Sequence, residues 1–375
     1  MARSIVIAAG GTGGHIFPGL ALADAVRARD PDARVSFIGT PKGLERSIIP
    51  KRGYPLQLVD MKPFPRRIGL GPLVAIVALV RATRQARMIL RAERAAVVVG
   101  MGGYASLPVL AAARWLGLPS LLHESGAVPG LSNRVAARMT RHLAVAFDEA
   151  ARRFPRSARP RTVGMPIDPS VAGLDRPSLR PEARAAFDLP ADGRVLLVLG
   201  GSLGATRLNE VGIDLASRWR DRGDIRILLK TGADHVQAVQ AELDGRGLSH
   251  LVRCLAFLDR MDLAYAAADV ALCRAGAGTV AELAAAGLPS ILVPYPHAPH
   301  DHQTANAGSL ARAGGAEIVP DSEADAARIG AIAEDLLGDN ELLIRMSAGA
   351  KSLARPSAAD DLARWVLELA GVARG

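Results

Sequence analysis

Two glycine-rich loops lie about half a chain apart in this sequence, Gly10-Gly11-Thr12-Gly13-Gly14-His15 and Gly200-Gly201-Ser202-Leu203-Gly204-Ala205. Each directly follows an apolar, strand-like run, at 5–8 and at 195–199. A loop without bulky side chains lets backbone N–H groups and a helix N-terminus approach anionic oxygens, which suits it to a phosphate or diphosphate. One such loop says little. Two, each opening its own βα series, predict twin Rossmann-like domains facing one another across a ligand cleft.

Strand runs alternate with helix-length periodic segments throughout, so the expected class is α/β with parallel sheets covered on both faces. In the first half the runs fall at 4–8, 35–38, 56–59, 96–99, 120–123 and 142–146; in the second at 195–199, 225–229, 251–255, 270–273 and 291–293. Between them, 165–190 carries Pro166, Pro169, Pro177, Pro181 and Pro190 without a sustained apolar period, the composition of an interdomain linker. The expected domains are therefore 1–164 and 191–350. A helix opening after Pro356 and ending near Leu369, within 351–375, is expected to pack back on the first domain.

At 375 residues the chain exceeds what one hydrophobic core usually supports, and 49% hydrophobic against 22% charged residues is an ordinary globular balance. Cys254 and Cys273 form neither a disulfide framework nor a metal-ligand spacing, which predicts a reducing, cytoplasmic compartment. The first strand begins almost at once, which predicts no signal peptide, and no apolar run reaches membrane-spanning length. Charge is uneven. Residues 1–165 carry 25 Lys/Arg against 9 Asp/Glu, and residues 166–375 carry 21 against 28. From Met61 to Ala92 there is no acidic residue, while Lys62, Arg66, Arg67, Arg81, Arg84, Arg87 and Arg91 flank the apolar run 73–80. Such a helix suits an anionic lipid surface, and equally a core-facing helix with a solvated basic stripe. With only 4% aromatic residues, a base-stacking surface for nucleic acid has little support.

A nicotinamide or flavin enzyme would show G-x-G-x-x-G with an acidic residue about 20 positions later. Neither loop complies: Ile16 stands where the third glycine belongs, and the second strand ends Phe37-Ile38-Gly39-Thr40 without a carboxylate. In the run CRAGAGTVAEL at 273–283, small residues open a helix near Gly276 and Glu282 follows about one and a half turns later. A carboxylate there can accept both hydroxyls of a ribose while the helix N-terminus faces a diphosphate; an ordinary surface glutamate is the plain alternative.

Several long motifs in order carry a resemblance: GGTGGHIFPGL at 10–20, GMGGY at 100–104, HE at 123–124, PGLSNR at 129–134, GGSLGA at 200–205, CRAGAGTVAEL at 273–283 and DHQTANA at 301–307. The chain resembles the MurG family of GT-B glycosyltransferases. The resemblance implies inverting transfer of GlcNAc from UDP-GlcNAc to lipid I, the undecaprenyl-diphosphate-linked muramoyl pentapeptide, without cofactor or obligatory metal. It further implies a peripheral place on the cytoplasmic face of the membrane, with other cell-wall synthesis proteins as possible partners.

By the same resemblance Thr12, Gly13, Gly14, Tyr104 and Ser202 meet substrate, and Leu258 offers its backbone to uracil. Ala277, Gly278, Thr279, Val280, Ala281 and Glu282 line the nucleotide, and Gln303 with Asn306 serves the donor sugar. Arg274 sits at a strand's carboxyl end, as a ligand contact or a structural ion pair. His15 and Glu124 are rival general bases, and His15 can alternatively stabilise leaving-group charge. His297, His300, Asp301 and His302 lack a metal-site spacing, and Asp30-Pro31-Asp32 reads as a turn.

Three departures stand out. The family's H-E-Q-N is His123-Glu124-Ser125-Gly126 here, its G-N-P-V-R is Gly164-Met165-Pro166-Ile167-Asp168, and its G-G-S-Q-G is Gly200-Gly201-Ser202-Leu203-Gly204. Polar donors around the sugar are lost, which leaves open a transferase with another donor or acceptor, or a non-catalytic binding protein.

Overall fold

A computed structural model of the chain describes residues 3–61, 71–200 and 205–372. The expectations for Lys62, Arg66, Arg67 and Ser202 therefore lie outside the described residues. The chain divides into two units, Met1–Asp168 with Ser357–Gly375, and Pro169–Pro356.

In unit 1 the strands are β1 (Ser4–Ala8), β2 (Arg34–Gly39), β3 (Leu56–Leu58), β4 (Val97–Gly100), β5 (Ser120–Glu124), β6 (His142–Val145) and β7 (Arg161–Thr162). They form one parallel sheet in the order β3-β2-β1-β4-β5-β6-β7. Alternation along each strand sorts side chains to two faces. Ile5, Ile7, Val97 and Val99 face one core, together with Leu20 and Val26 of α1 (Gly13–Arg29) and Leu362, Ala363 and Val366 of the last helix, Ala358–Val372. Val6, Ala8 and Val98 face the other, with Ala82, Ala86 and Leu90 of α3 (Gly71–Ala92) and Leu107 and Leu110 of α4 (Gly103–Leu116). Arg29 of α1 pairs with Asp360, and the His142 ring packs edge-on against Trp365.

Unit 2 contains β8 (Arg194–Leu199), β9 (Ile225–Lys230), β10 (Val252–Leu255), β11 (Val270–Cys273), β12 (Ser290–Leu292) and β13 (Ala316–Ile318), again parallel, in the order β10-β9-β8-β11-β12-β13. In both sheets the order reverses beside the first strand of the series, between β1 and β4 and between β8 and β11. Ligands of open α/β sheets bind beyond the carboxyl ends of the strands at such a reversal.

The proline-rich stretch is not an extended linker. Helices Pro169–Ala172 and Arg176–Ala186 occupy it and belong to unit 2. Pro177 stands in a first helical turn, where a missing N–H costs nothing. Arg176 donates from Nε to the Tyr265 carbonyl (3.1 Å) and from Nη1 to the Gly287 carbonyl (2.9 Å), and it also reaches the Ala268 carbonyl. Burial lowers its guanidinium to about 10. The buried Asp269 pairs with Arg180, Arg184 and Arg194, fastening the same segment to the strands. The strands β7 and β13, two and three residues long, were not among the expected runs.

Candidate functional site

The switch point of unit 1 gathers the carboxyl ends of β1, β4 and β5. Thr12 caps α1 in extended conformation without a side-chain cap bond, and no acidic residue stands in the first turn. The helix start at Gly13 and Gly14 therefore presents backbone donors with no internal carboxylate over them. His15 follows within that turn, half-buried, its Nδ1 3.5 Å from the Thr12 hydroxyl. Its ring rests on the β4–α4 turn. A Cβ on Gly102 would lie 3.2 Å from His15 Cδ2, and one on Gly103 3.0 Å from Cε1, while both residues hold left-handed φ, +93° and +74°. Only glycine meets both demands, so GMGGY is the histidine's seat. Tyr104 stands next in α4, its hydroxyl 3.3 Å from that of Thr40.

Glu124 ends β5 almost fully buried. Its Oε1 accepts from the Gly126 N–H (2.8 Å) and its Oε2 from Asn133 Nδ2 (2.7 Å) on helix α5 (Leu131–Ala136). Burial pushes its carboxyl up to about 7, although these bonds and the backbone N–H groups of Gly130 and Ser125 pull the other way. The neighbouring His123 has no exposed surface. Burial, reinforced by the nearby His15, lowers it to about 4 against a hydrogen bond to the Gly164 carbonyl. As a neutral ring, its Nε2–H donates to that carbonyl at 2.9 Å, and Nδ1 accepts from the Ser125 hydroxyl at 3.4 Å.

In unit 2 the helix Ala277–Ala286 begins at Gly276, with neither a side-chain cap nor an acidic residue in its first turn. Ala277, Gly278, Thr279 and Ala281 are partly exposed, whereas the Val280 side chain is buried, so Val280 can address a ligand only through its backbone. Glu282 is held in place by a residue that sequence reasoning missed: the buried Tyr265 donates its O–H to Glu282 Oε2 at 2.7 Å. Burial and the Glu282 charge raise that phenol well above its ordinary range, and the same two causes lift the Cys273 thiol to about 12. Leu258 lies buried in the loop after β10.

Gln303 Oε1 accepts from the backbone N–H of Ala275 (3.2 Å) and of Tyr295 (2.9 Å), which leaves its amide nitrogen as the donor it can offer a ligand. Asn306, fully buried, donates to the Ala275 carbonyl at 3.1 Å and so shapes the turn before the helix. Arg274 is engaged internally. Its Nη1 reaches the carbonyls of Val293 (3.2 Å) and Pro294 (3.3 Å) and pairs with Asp321, the structural ion pair its position allowed. Among the described residues no group of three or more His, Cys, Asp or Glu side chains could hold a metal ion, the His297–His302 stretch included.

Residues 5–145 match the glycosyltransferase family 28 N-terminal domain, and residues 195–362 match its C-terminal domain. A Nocardioides protein named UDP-N-acetylglucosamine–N-acetylmuramyl-(pentapeptide) pyrophosphoryl-undecaprenol N-acetylglucosamine transferase is 41% identical over 365 residues, covering 97% of this chain and 98% of its own. A Streptomyces coelicolor protein of the same name is likewise 41% identical over 365 residues, covering 97% of each. The crystal structure of Acinetobacter baumannii MurG, 30% identical, matches with a TM-score of 0.77 over 98% of this chain and 99% of that one.

The chain belongs to the MurG family. Its fold is accordingly GT-B, built from the two Rossmann-like units. A UDP-GlcNAc 2-epimerase from Neisseria meningitidis, 12% identical with a TM-score of 0.68 over 98% of this chain, shares the fold alone. Within this MurG-family chain the altered H-E-S-G run has a physical reading. Ser125 turns its hydroxyl inward to His123, so this replacement serves the buried pair, whereas the Gly126 N–H to Glu124 is a backbone bond that any residue but proline would make, and nothing in the structure explains the glycine.

Proposed function

We propose that this chain transfers N-acetylglucosamine from UDP-GlcNAc to the muramoyl hydroxyl of lipid I, with inversion at the anomeric carbon. The observation that carries the reading is His15 seated on Gly102–Gly103 at the β1/β4 reversal, in a chain 41% identical over 97% of its length to proteins named for that transfer.

On the donor side, the Leu258 backbone serves uracil and Glu282, oriented by Tyr265, takes the ribose hydroxyls. The helix start at Ala277, Gly278 and Thr279 faces the diphosphate, and the Gln303 amide meets the sugar. Arg274 and Asn306 shape the turns that carry these groups. On the acceptor side, Thr12, Gly13 and Gly14 meet the lipid diphosphate, with Tyr104 beside them. His15 removes the acceptor hydroxyl's proton as UDP departs through an oxocarbenium-like transition state, and helix-terminal donors meet the charge on UDP. Glu124 is the weaker candidate for base, because it is almost fully buried and both its oxygens already accept hydrogen bonds, whereas His15 keeps an exposed edge.

A membrane surface holds the acceptor, and α3 suits it. Ala82, Ala86 and Leu90 face inward, while Ile76, Val77 and Val80 are 55%, 62% and 45% exposed. Trp115 of α4 is 59% exposed, with the Arg87 guanidinium 4.4 Å from its ring centroid. Exposed apolar side chains followed along the same helix by Arg81, Arg84, Arg87 and Arg91 match an anionic lipid interface. No described helix is long and apolar enough to cross a membrane, and the attachment we propose is peripheral, at the cytoplasmic face.

The test is product formation from UDP-GlcNAc and a lipid I analogue. Disaccharide-lipid is expected, and His15→Ala should lower kcat by about 10²–10⁴ with donor affinity little changed. Absence of product while UDP still binds would leave a binding protein in place of a transferase.

A further inference from the structure

A buried carboxylate that the transfer chemistry does not use lies beneath the first glycine loop. Glu45, the opening residue of α2 (Glu45–Lys51), has no exposed surface. Its Oε1 accepts from both the backbone N–H and the hydroxyl of Thr40, each at 2.8 Å, and its Oε2 accepts from the Gly11 N–H at 3.0 Å. With the Thr40 proton given to Glu45, the Thr40 oxygen accepts from the Tyr104 hydroxyl at 3.3 Å. One side chain thus ties together the ends of β1 and β2 and the first turn of α4, the elements around His15.

The socket is built for it. A Cβ on Gly10 would come within 2.6 Å of Glu45 Oε1, one on Gly39 within 2.7 Å of Cγ, and one on Gly43 within 1.8 Å of Oε2. Three glycines, one after β1, one closing β2 and one in the β2–α2 turn, make room for this carboxylate. A bare glycine loop after a first strand offers its N–H groups to an anionic ligand. Here the Gly11 N–H is already spoken for by an internal anion, and the donors left for a ligand are those at the start of α1.

We propose that Glu45 is a positioning residue for the acceptor half of the reaction. It stands in for an anion at Gly11, holds the loop in its bound shape before substrate arrives, and confines the acceptor's diphosphate to the Gly13–Gly14 end beside His15. The proposal rests on the transferase reading for its kinetic arm only.

Glu45→Gln is a selective probe. Its amide oxygen keeps both Thr40 bonds, whereas its NH₂ meets the Gly11 N–H donor to donor. The first readout is amide hydrogen exchange in the full chain, which requires no activity. Exchange at Gly11 should accelerate about tenfold or more while Thr40 stays protected. The second is kinetic: kcat/KM for the lipid I analogue should fall about tenfold or more, with UDP affinity by calorimetry unchanged. Gly43→Ala, whose new methyl displaces the whole Glu45 carboxyl, should likewise speed Gly11 exchange and lower kcat/KM for the acceptor analogue with UDP affinity unchanged, and it replaces Glu45→Gln should that variant fail to fold. Thr40→Ser, which keeps the hydroxyl, should behave as native. Unaltered Gly11 exchange overturns the proposal. So does a loss of thermal stability accompanied by equal changes in donor and acceptor parameters, the mark of a merely structural carboxylate. If the native chain makes no product, the transferase reading fails, and the exchange data still decide whether Glu45 holds the loop.

Discussion

Replacing Glu124 by glutamine should expose a pH dependence that the native chain conceals. In the folded protein burial lifts Glu124 from its ordinary 4.5 to about 7 and lowers His123 from its ordinary 6.5 to about 4. Glu124, with a raised value, contributes stability that is fully present below pH 4.5 and is lost as pH rises through 7. His123, with a depressed value, contributes stability that is present above pH 6.5 and is lost as pH falls through 4. Each displacement corresponds to about 3 kcal/mol. Between these limits the unfolded chain holds its proton on His123 and the folded chain holds it on Glu124, so folding relocates a proton without net uptake and the two slopes cancel. In Glu124→Gln the His123 slope stands alone, and stability should climb by about 3 kcal/mol from pH 4 to 6.5. The substitution is well accommodated. Asn133 Oδ1 is buried without a hydrogen-bond partner, and rotating that amide lets it accept from the new NH₂. Urea unfolding in a Trp219→Phe background reads unit 1 through Trp115 and Trp365. Parallel pH profiles for native and variant would refute the coupled neutral pair.

Tyr265→Phe removes the O–H that orients Glu282 while leaving the carboxylate half-exposed to water. UDP affinity should fall by about 1.5 kcal/mol, the low end for a hydrogen bond to a charged group, and identical calorimetric constants would detach Glu282 from the ribose. Arg81→Glu with Arg84→Glu should weaken binding to anionic vesicles about tenfold or more, at about 1 kcal/mol per basic residue near such a surface. Native binding should itself weaken as salt rises. Vesicle binding that ignores both salt and these charges would return α3 to a simple surface helix.

The sequence disclosed the sheets because their central strands are continuous apolar runs, and the switch-point loops because glycine is conspicuous there. Its limits are equally physical. Pro177 in a first helical turn looks like punctuation in a sequence, although a proline there interrupts nothing. Side chains that act on side chains far away in the chain leave no local pattern: Tyr265 is 17 positions from Glu282, and Glu45 is 34 from Gly11. Arg274 could be placed at a strand end but not aimed, since its partner Asp321 follows 47 positions later. The glycines of GMGGY were legible as a motif, while their purpose, clearance for the His15 ring, arises only where the fold brings α1 against the β4–α4 turn.

Unit 1 is made of two separated stretches, and this fixes an order of assembly. A ribosome delivers β1 through β7 first, yet Leu362, Ala363, Val366, Leu369 and Ala370, which complete one face of that sheet, emerge only after all of Pro169–Pro356. The first half to be synthesised is therefore the last to be finished, and it carries an open apolar strip throughout translation of the second. Cutting the chain after Asp168 would yield a fragment with that strip permanently bare and prone to self-association. A free-standing version calls for a splice, not a truncation, with Asp168 joined by a short flexible segment to Ser357 so that the closing helix travels with its sheet.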